Sequence, residues 1–245
     1  MELLVFLFGL AIGSFLNVLI DRLPRGENVI TGRSRCDHCG KTLRWFELIP
    51  LLSFMLQGRR CRRCHKGLSW QYPIVEFVTA MGFMVIFQSQ TQSLALGGSW
   101  LIFSALLVIF VADLKTQIIP DSMVVVGIIG VFFQSQSRLA GLALFQSAFG
   151  AAGFFLFLWL VTRGKGMGLG DVKLAFLMGL LSGFPKIVVA SYLAFLTGAL
   201  TGVILILLGK KKLKGHIAFG PFLVLGTWVA FIWGQQLIDW WRMLL

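Results

Sequence analysis

LLVFLFGLAIGSFLNVLI (3–20) runs for 18 residues without a charge. Similar runs recur along most of the chain. A membrane-crossing helix needs about 20 mostly apolar residues, and barrel strands would instead alternate apolar and polar positions. These runs are apolar on all sides, so they predict helices. Eight candidate spans follow: 3–20, 73–89, 97–112, 118–134, 141–162, 171–183, 187–208 and 217–238. The sixth is short for a full crossing, and only Phe184-Pro185-Lys186 separates it from the seventh. The chain is 57% hydrophobic and 13% charged, with a mean hydropathy of +0.85. Soluble domains carry roughly 45–50% apolar and about 25% charged residues. The expected fold class is therefore an all-α polytopic membrane protein with about eight transmembrane helices and a small zinc-stapled cytosolic segment. The first span could be a signal peptide, but Glu2 precedes it where a basic region would stand and no A-x-A site follows. It reads as a retained helix.

The segment 21–72 breaks the pattern. It is charged, contains all four cysteines and lacks a long apolar run. The expected organisation is a first helix at 1–20, a cytosolic segment at 21–72 and a membrane domain at 73–245. With eight crossings, the segment 21–72 and the loops 113–117, 163–170 and 209–216 share one face. Together with Lys173, they hold 19 of the 22 Lys and Arg residues, leaving Arg138, Lys186 and Arg242 opposite. Lys210, Lys211, Lys212 and Lys214 are part of this count. Positive residues mark the cytoplasmic side, which puts the cysteine segment in the cytosol and both termini outside. Basic loops against an anionic leaflet account for the net charge of +12 without a nucleic-acid partner.

CDHC (36–39) and CRRC (61–64) are 21 residues apart. Two C-x2-C pairs at this spacing are close to a zinc-ribbon pattern. Four thiolates from Cys36, Cys39, Cys61 and Cys64 would close a tetrahedral shell around Zn²⁺, making the site structural. Two disulfides are the alternative, which a reducing cytosol disfavours. His38 and His65 flank ligand positions and could substitute, but read as solvated.

Ten acidic residues remain to be weighed. Asp21, Glu27, Asp37 and Glu47 lie in the charged segment and read as solvated surface. Glu76, Asp113, Asp121 and Asp171 lie at or within the membrane domain, where ionisable groups are costly and are usually functional or paired. Asp121 follows Pro120 and suits a helix start. Glu76 either snorkels or pairs with a basic residue of the cytosolic segment. Asp113 and Asp171 come to the same membrane face. Two carboxyls sharing a proton can activate water and polarise a peptide carbonyl. Asp171 at a helix N-terminus would favour the anion, and Asp113 near a C-terminus the proton. Gly166, Gly168 and Gly170 would let the loop turn tightly and approach an extended peptide, or form a plain flexible connection.

GSFLNVLIDRLP (13–24), SRC…C…W…IP (34–50), CRRCHKGLSWQYPIVEFVTA (61–80), DLKTQIIPD (113–121), GMGLGDVKLAF (166–176) and FGPFL (219–223) together resemble the type IV prepilin leader peptidase family. Those are bifunctional peptidases and N-methyltransferases of bacterial pilus, type II secretion and competence systems, sited in the inner membrane. The resemblance covers nearly the whole chain. It implies a catalytic pair at Asp113 and Asp171, and zinc at Cys36, Cys39, Cys61 and Cys64. It also implies cleavage after a glycine in prepilin or pseudopilin precursors, then methylation of the new amine from S-adenosylmethionine. CDHC stands where the family usually has C-P-x-C, and Phe46 where it often has tyrosine. No G-x-G-x-x-G follows a strand, so the methyl-donor pocket has only polar candidates: Asn17, Asp21, Arg22, Glu27 and Glu76. A transporter with a stapled loop, a peptidase without the cytosolic insert, and an assembly scaffold are the competing readings.

Overall fold

A computed structural model describes residues 1–36, 38–89, 93–134, 138–209 and 218–244. Asp37, Lys210, Lys211, Lys212 and Lys214, and the first residue of the eighth expected span, lie outside the described residues, as does the side chain of Arg138. The elements are α1 (Glu2–Arg22), a 3-10 turn (Leu23–Arg25), a second (Trp45–Leu48), the short α2 (Leu52–Leu56), α3 (Gln71–Ser89), α4 (Ser93–Thr116), α5 (Asp121–Gln134), α6 (Arg138–Val161), α7 (Leu169–Ser182), α8 (Lys186–Leu207) and α9 (Gly220–Leu244). Among the described residues there is no strand, only two isolated bridges.

Helices stand at all eight expected positions. Six of them, α1, α3, α4, α6, α8 and α9, are long and apolar enough to cross a membrane. α5 and α7 have 14 residues each, or roughly 21 Å at 1.5 Å per residue. That is short of a hydrocarbon core of about 30 Å. By length and composition, six of the eight expected crossings are helices long enough to span alone.

The chain packs as successive pairs, α1 on α3, α4 on α5, α6 on α7 and α8 on α9, with α7 and α4 also meeting α9. α7 is short yet innermost: Leu174, Ala175, Leu177 and Met178 are fully buried, as are Ala105, Val108, Ile109 and Ala112 of α4. Apolar residues gain little from leaving lipid, so helix association relies on close packing over small residues. A Cβ on Gly179 would lie 2.4 Å from Ala148 Cα, and one on Gly98 would lie 2.6 Å from the Gly130 carbonyl oxygen. Glycine is what allows α6–α7 and α4–α5 to approach this closely.

Candidate functional site

Three helix breaks converge at one end of the bundle. α4 stops at Thr116, where Gln117 takes a left-handed φ of 56°. Pro120 then disfavours helix at Ile119, and α5 starts at Asp121. α6 ends in a turn whose left-handed residues are Arg163 and Gly164, φ 51° and 71°. α9 opens with Gly220-Pro221, a dipeptide suited to a helix start.

The breaks surround a cavity of about 410 Å³ lined by Asp113, Asp171, Gln117, Ile119, Gly168 and Phe219, with Asp121 and Lys173 also on its wall. Asp113 and Asp171 are 4% and 7% exposed. Asp171 is the third residue of α7, and its Oδ2 accepts the Gly168 N–H at 3.0 Å. This is the back-bond of a capping box. Asp113 Oδ2 accepts the Gly220 N–H at 2.9 Å. Asp113 thus lies near the end of its own helix but against the start of α9. The helix-dipole argument for giving the two carboxyls opposite roles loses its basis, because each faces a helix N-terminus. Two buried carboxyls on one cavity have the means to exchange a proton and handle a water.

The glycines act differently from expectation. The tight turn is made at Gly164 rather than at Gly166, Gly168 or Gly170, none of which has a left-handed φ. Gly168 is extended and caps α7. At Gly170 a Cβ would lie 3.1 Å from Ile119 Cβ, so Ile119 would have to give by a few tenths of an ångström. Gly220 sits beside Asp113, where a Cβ would lie 2.7 Å from Oδ2. Its role was legible only as part of FGPFL. Asp121 takes the expected first-turn position, and its carboxylate meets Lys173 Nζ at 2.7 Å.

The four cysteines gather in a second place. Their Sγ atoms lie within 4.8 Å of one another, with Cys36–Cys64 at 3.9 Å and Cys39–Cys61 at 4.0 Å. Disulfide sulfurs would be about 2.05 Å apart; all four thiols are free. A tetrahedron with metal–sulfur bonds of about 2.3 Å has edges of about 3.8 Å, so the cluster fits a four-thiolate metal shell. The two knuckles repeat one geometry. The Cys36 N–H donates to the Lys41 carbonyl and Gly40 N–H to Cys36, while Cys61 N–H donates to Lys66 and His65 N–H to Cys61. Gly40 and His65 take the left-handed position, φ 66° and 56°. The Cys64 and Arg63 N–H groups pull the Cys61 thiol down to about 6, whereas burial pushes Cys36 up to about 11. A metal cation held there would be ligated by the thiolate forms. His38 and His65 are exposed, in line with a solvated role.

Three carboxylates expected at the surface or left open find specific partners. Glu47 is 8% exposed and accepts the Arg44 N–H at 2.8 Å. Among the described residues Glu76 neither snorkels nor pairs with a basic side chain: it accepts the Leu51 N–H at 2.8 Å and bonds Ser14. Asp21 meets Lys115 Nζ at 2.6 Å and Tyr72 OH at 3.1 Å. Gln71 bridges the Asn17, Asp21 and Lys115 side chains. Of the methyl-donor candidates, Asn17 and Asp21 share this cluster. Arg22 instead donates to the carbonyls of Asn28, Thr31, Gly32 and Arg33, and Glu27 is an exposed partner of Arg25.

Fold and cavity define a polytopic helical membrane protein with paired buried carboxyls at one helix-end cavity. The sequence matches the Bacterial Peptidase A24 N-terminal domain over residues 7–89 and the Type IV leader peptidase family over residues 100–207. Among curated proteins it is 33% identical to a "Prepilin leader peptidase/N-methyltransferase" of Aeromonas hydrophila, covering 97% of this chain and 92% of that protein. Proteins of the same name from Bacillus subtilis and Pseudomonas aeruginosa are each 32% identical. They cover 96% and 94% of this chain, and 96% and 90% of their own length. The chain belongs to the type IV leader peptidase family. No solved structure matches it.

Proposed function

We propose that this chain is a prepilin peptidase with N-methyltransferase activity in the bacterial inner membrane. It removes the leader from prepilin or pseudopilin precursors after a glycine, then methylates the new N-terminal amine. The observation that carries the peptidase half is the pair Asp113 and Asp171, buried on one cavity, each holding a backbone N–H. One carboxylate takes a proton from water while the other, protonated, polarises the scissile carbonyl. The two titrate as a coupled unit, and the symmetric backbone bonds leave the proton shared between them. The cavity admits an extended stretch of backbone beside the turn at Gly164, with Gly166, Gly168 and Gly170 forming the substrate-side loop.

In this reading α5 and α7 are short crossings, giving eight spans with the termini outside. The cysteine segment 21–72 and the mouth of the cavity then share the cytoplasmic face, where a precursor's leader is displayed. Cys36, Cys39, Cys61 and Cys64 hold a structural zinc, which closes the segment and takes no part in the chemistry. Segment 21–72 serves methylation and 73–245 proteolysis. S-adenosylmethionine supplies the methyl group. The Asn17–Asp21–Gln71–Lys115 cluster is paired within itself and works as a tie between α1, α3 and α4.

The test is reconstitution with a prepilin and S-adenosylmethionine, read by product mass. Loss of the leader together with gain of a methyl is expected. An intact precursor, under conditions where a known prepilin peptidase cuts it, overturns the reading and reopens the transporter and scaffold alternatives.

A further inference from the structure

Segment 21–72 carries an apolar surface that nothing among the described residues covers. Leu52, Met55 and Leu56 of α2 are 58%, 76% and 79% exposed, and Trp45 is 78% exposed. Such exposure is ordinary on spans that face lipid, but this segment is outside them. Where α2 sits explains it. Glu76 lies five residues inside α3, about 7.5 Å along the axis, and it binds the Leu51 N–H. That bond draws the start of α2 down to the second turn of a membrane-crossing helix. Leu51 is held there at φ 59°, a conformation that branched residues avoid. Phe54, buried on the other face of α2, packs on Trp70 at 5.4 Å, and Trp70 immediately precedes α3.

The surrounding charge matches one partner. Arg59 lies over the Trp70 ring at 5.0 Å, and Arg59, Arg60, Arg62 and Arg63 are all exposed. The segment has eleven basic residues against four acidic ones, and Asp21 and Glu47 are already occupied within the fold.

We propose that α2, with Trp45 and the Arg59–Arg60 pair, is a membrane-interface anchor. Leu52, Met55 and Leu56 dip into the boundary of the leaflet beside α3, and the arginines bind anionic phospholipid headgroups. Aromatic residues at the headgroup level and basic residues beside an apolar face are the chemistry of interfacial helices. The anchor holds the cysteine segment flat on the bilayer instead of free above it. This rests on packing and charge alone and stands whatever reaction the enzyme performs.

The test uses the full chain in lipid nanodiscs with a photoreactive benzophenone side chain at Met55. A matched probe at Val85, 62% exposed on α3, is the positive control. The expected product is a phospholipid adduct at both positions, unchanged by added prepilin. An adduct at Val85 with none at Met55 overturns the proposal. So does a Met55 adduct that moves from lipid to prepilin, which would make the face a substrate-docking surface. Arg59→Gln with Arg60→Gln should lower the Met55 lipid adduct in phosphatidylglycerol discs, by about fivefold for each arginine that contacts a headgroup. The yield in phosphatidylcholine discs should be unchanged. Equal yields for wild type and variant in the anionic discs overturn the headgroup contact.

Discussion

Asp113 and Asp171 are each fixed by a single backbone N–H, donated by Gly220 and Gly168. Asparagine can accept the same bond through its side-chain oxygen but cannot exchange the proton. Asp113→Asn and Asp171→Asn should therefore each lower the leader-cleavage rate by about 10²–10⁴-fold with unfolding temperature unchanged. Mass spectrometry of the substrate and a thermal melt check both halves. Gly220 is a finer probe. A methyl group placed there would come 2.7 Å from Asp113 Oδ2, so Gly220→Ala must displace the carboxylate. A displacement on the ångström scale costs about 10–100-fold in rate, and cleavage should fall by that much while the chain still inserts and folds. The same scale shows why some residues were misread. Glu47 and Asp21 lie in a charged stretch that does not mark them as partnered, and Glu76 lies in an apolar span that flags it without naming its partner. Their partners are a nearby N–H in a turn, an N–H 25 residues away and a lysine 94 residues away.

At the scale of elements, the two cysteine knuckles have little support besides one another. Phe46 lies between Arg44 and Arg62, at 6.0 and 5.2 Å, and Phe54 is the buried apolar anchor of α2. If the cluster holds zinc, a segment with so small a core should depend on it. Cys36→Ser should abolish bound zinc, measured by metal analysis. It should also make residues 21–72 protease-sensitive while the membrane helices keep their protection. The helical spans were legible from apolar runs because a lipid-facing helix needs no periodicity to be recognised. Their ends were less so. α4 carries on past Asp113 to Thr116 and α5 begins only at Asp121. The six residues 116–121 were shared between a loop and a span because Ile118 and Ile119 read as membrane residues. Both instead line the cavity.

For the whole molecule, the end of α1 is tied to α4 by the Asp21–Lys115 contact, two residues beyond Asp113, and by the α1–α3–α4 packing. If the two activities occupy separate places, Asp113→Asn should still methylate a substrate supplied already cut. Cys36→Ser should lose that methylation while retaining cleavage. Both are read in a single assay with S-adenosylmethionine, and loss of both activities in Asp113→Asn would mean one shared centre. The sequence by itself determined the helical membrane class, the four cysteines that come together and the two aspartates that share a cavity. Those follow from local chemistry: the polarity of 20-residue windows, thiol spacing, and the cost of a carboxyl next to lipid. Only the tertiary structure decided that α9 supplies Asp113 with a backbone donor, that Gly164 makes the turn, and that Glu76 binds the Leu51 N–H at the start of α2. Each is a hydrogen bond or close approach between distant segments, or a backbone dihedral set by such packing, and residue order does not encode which helix starts will meet.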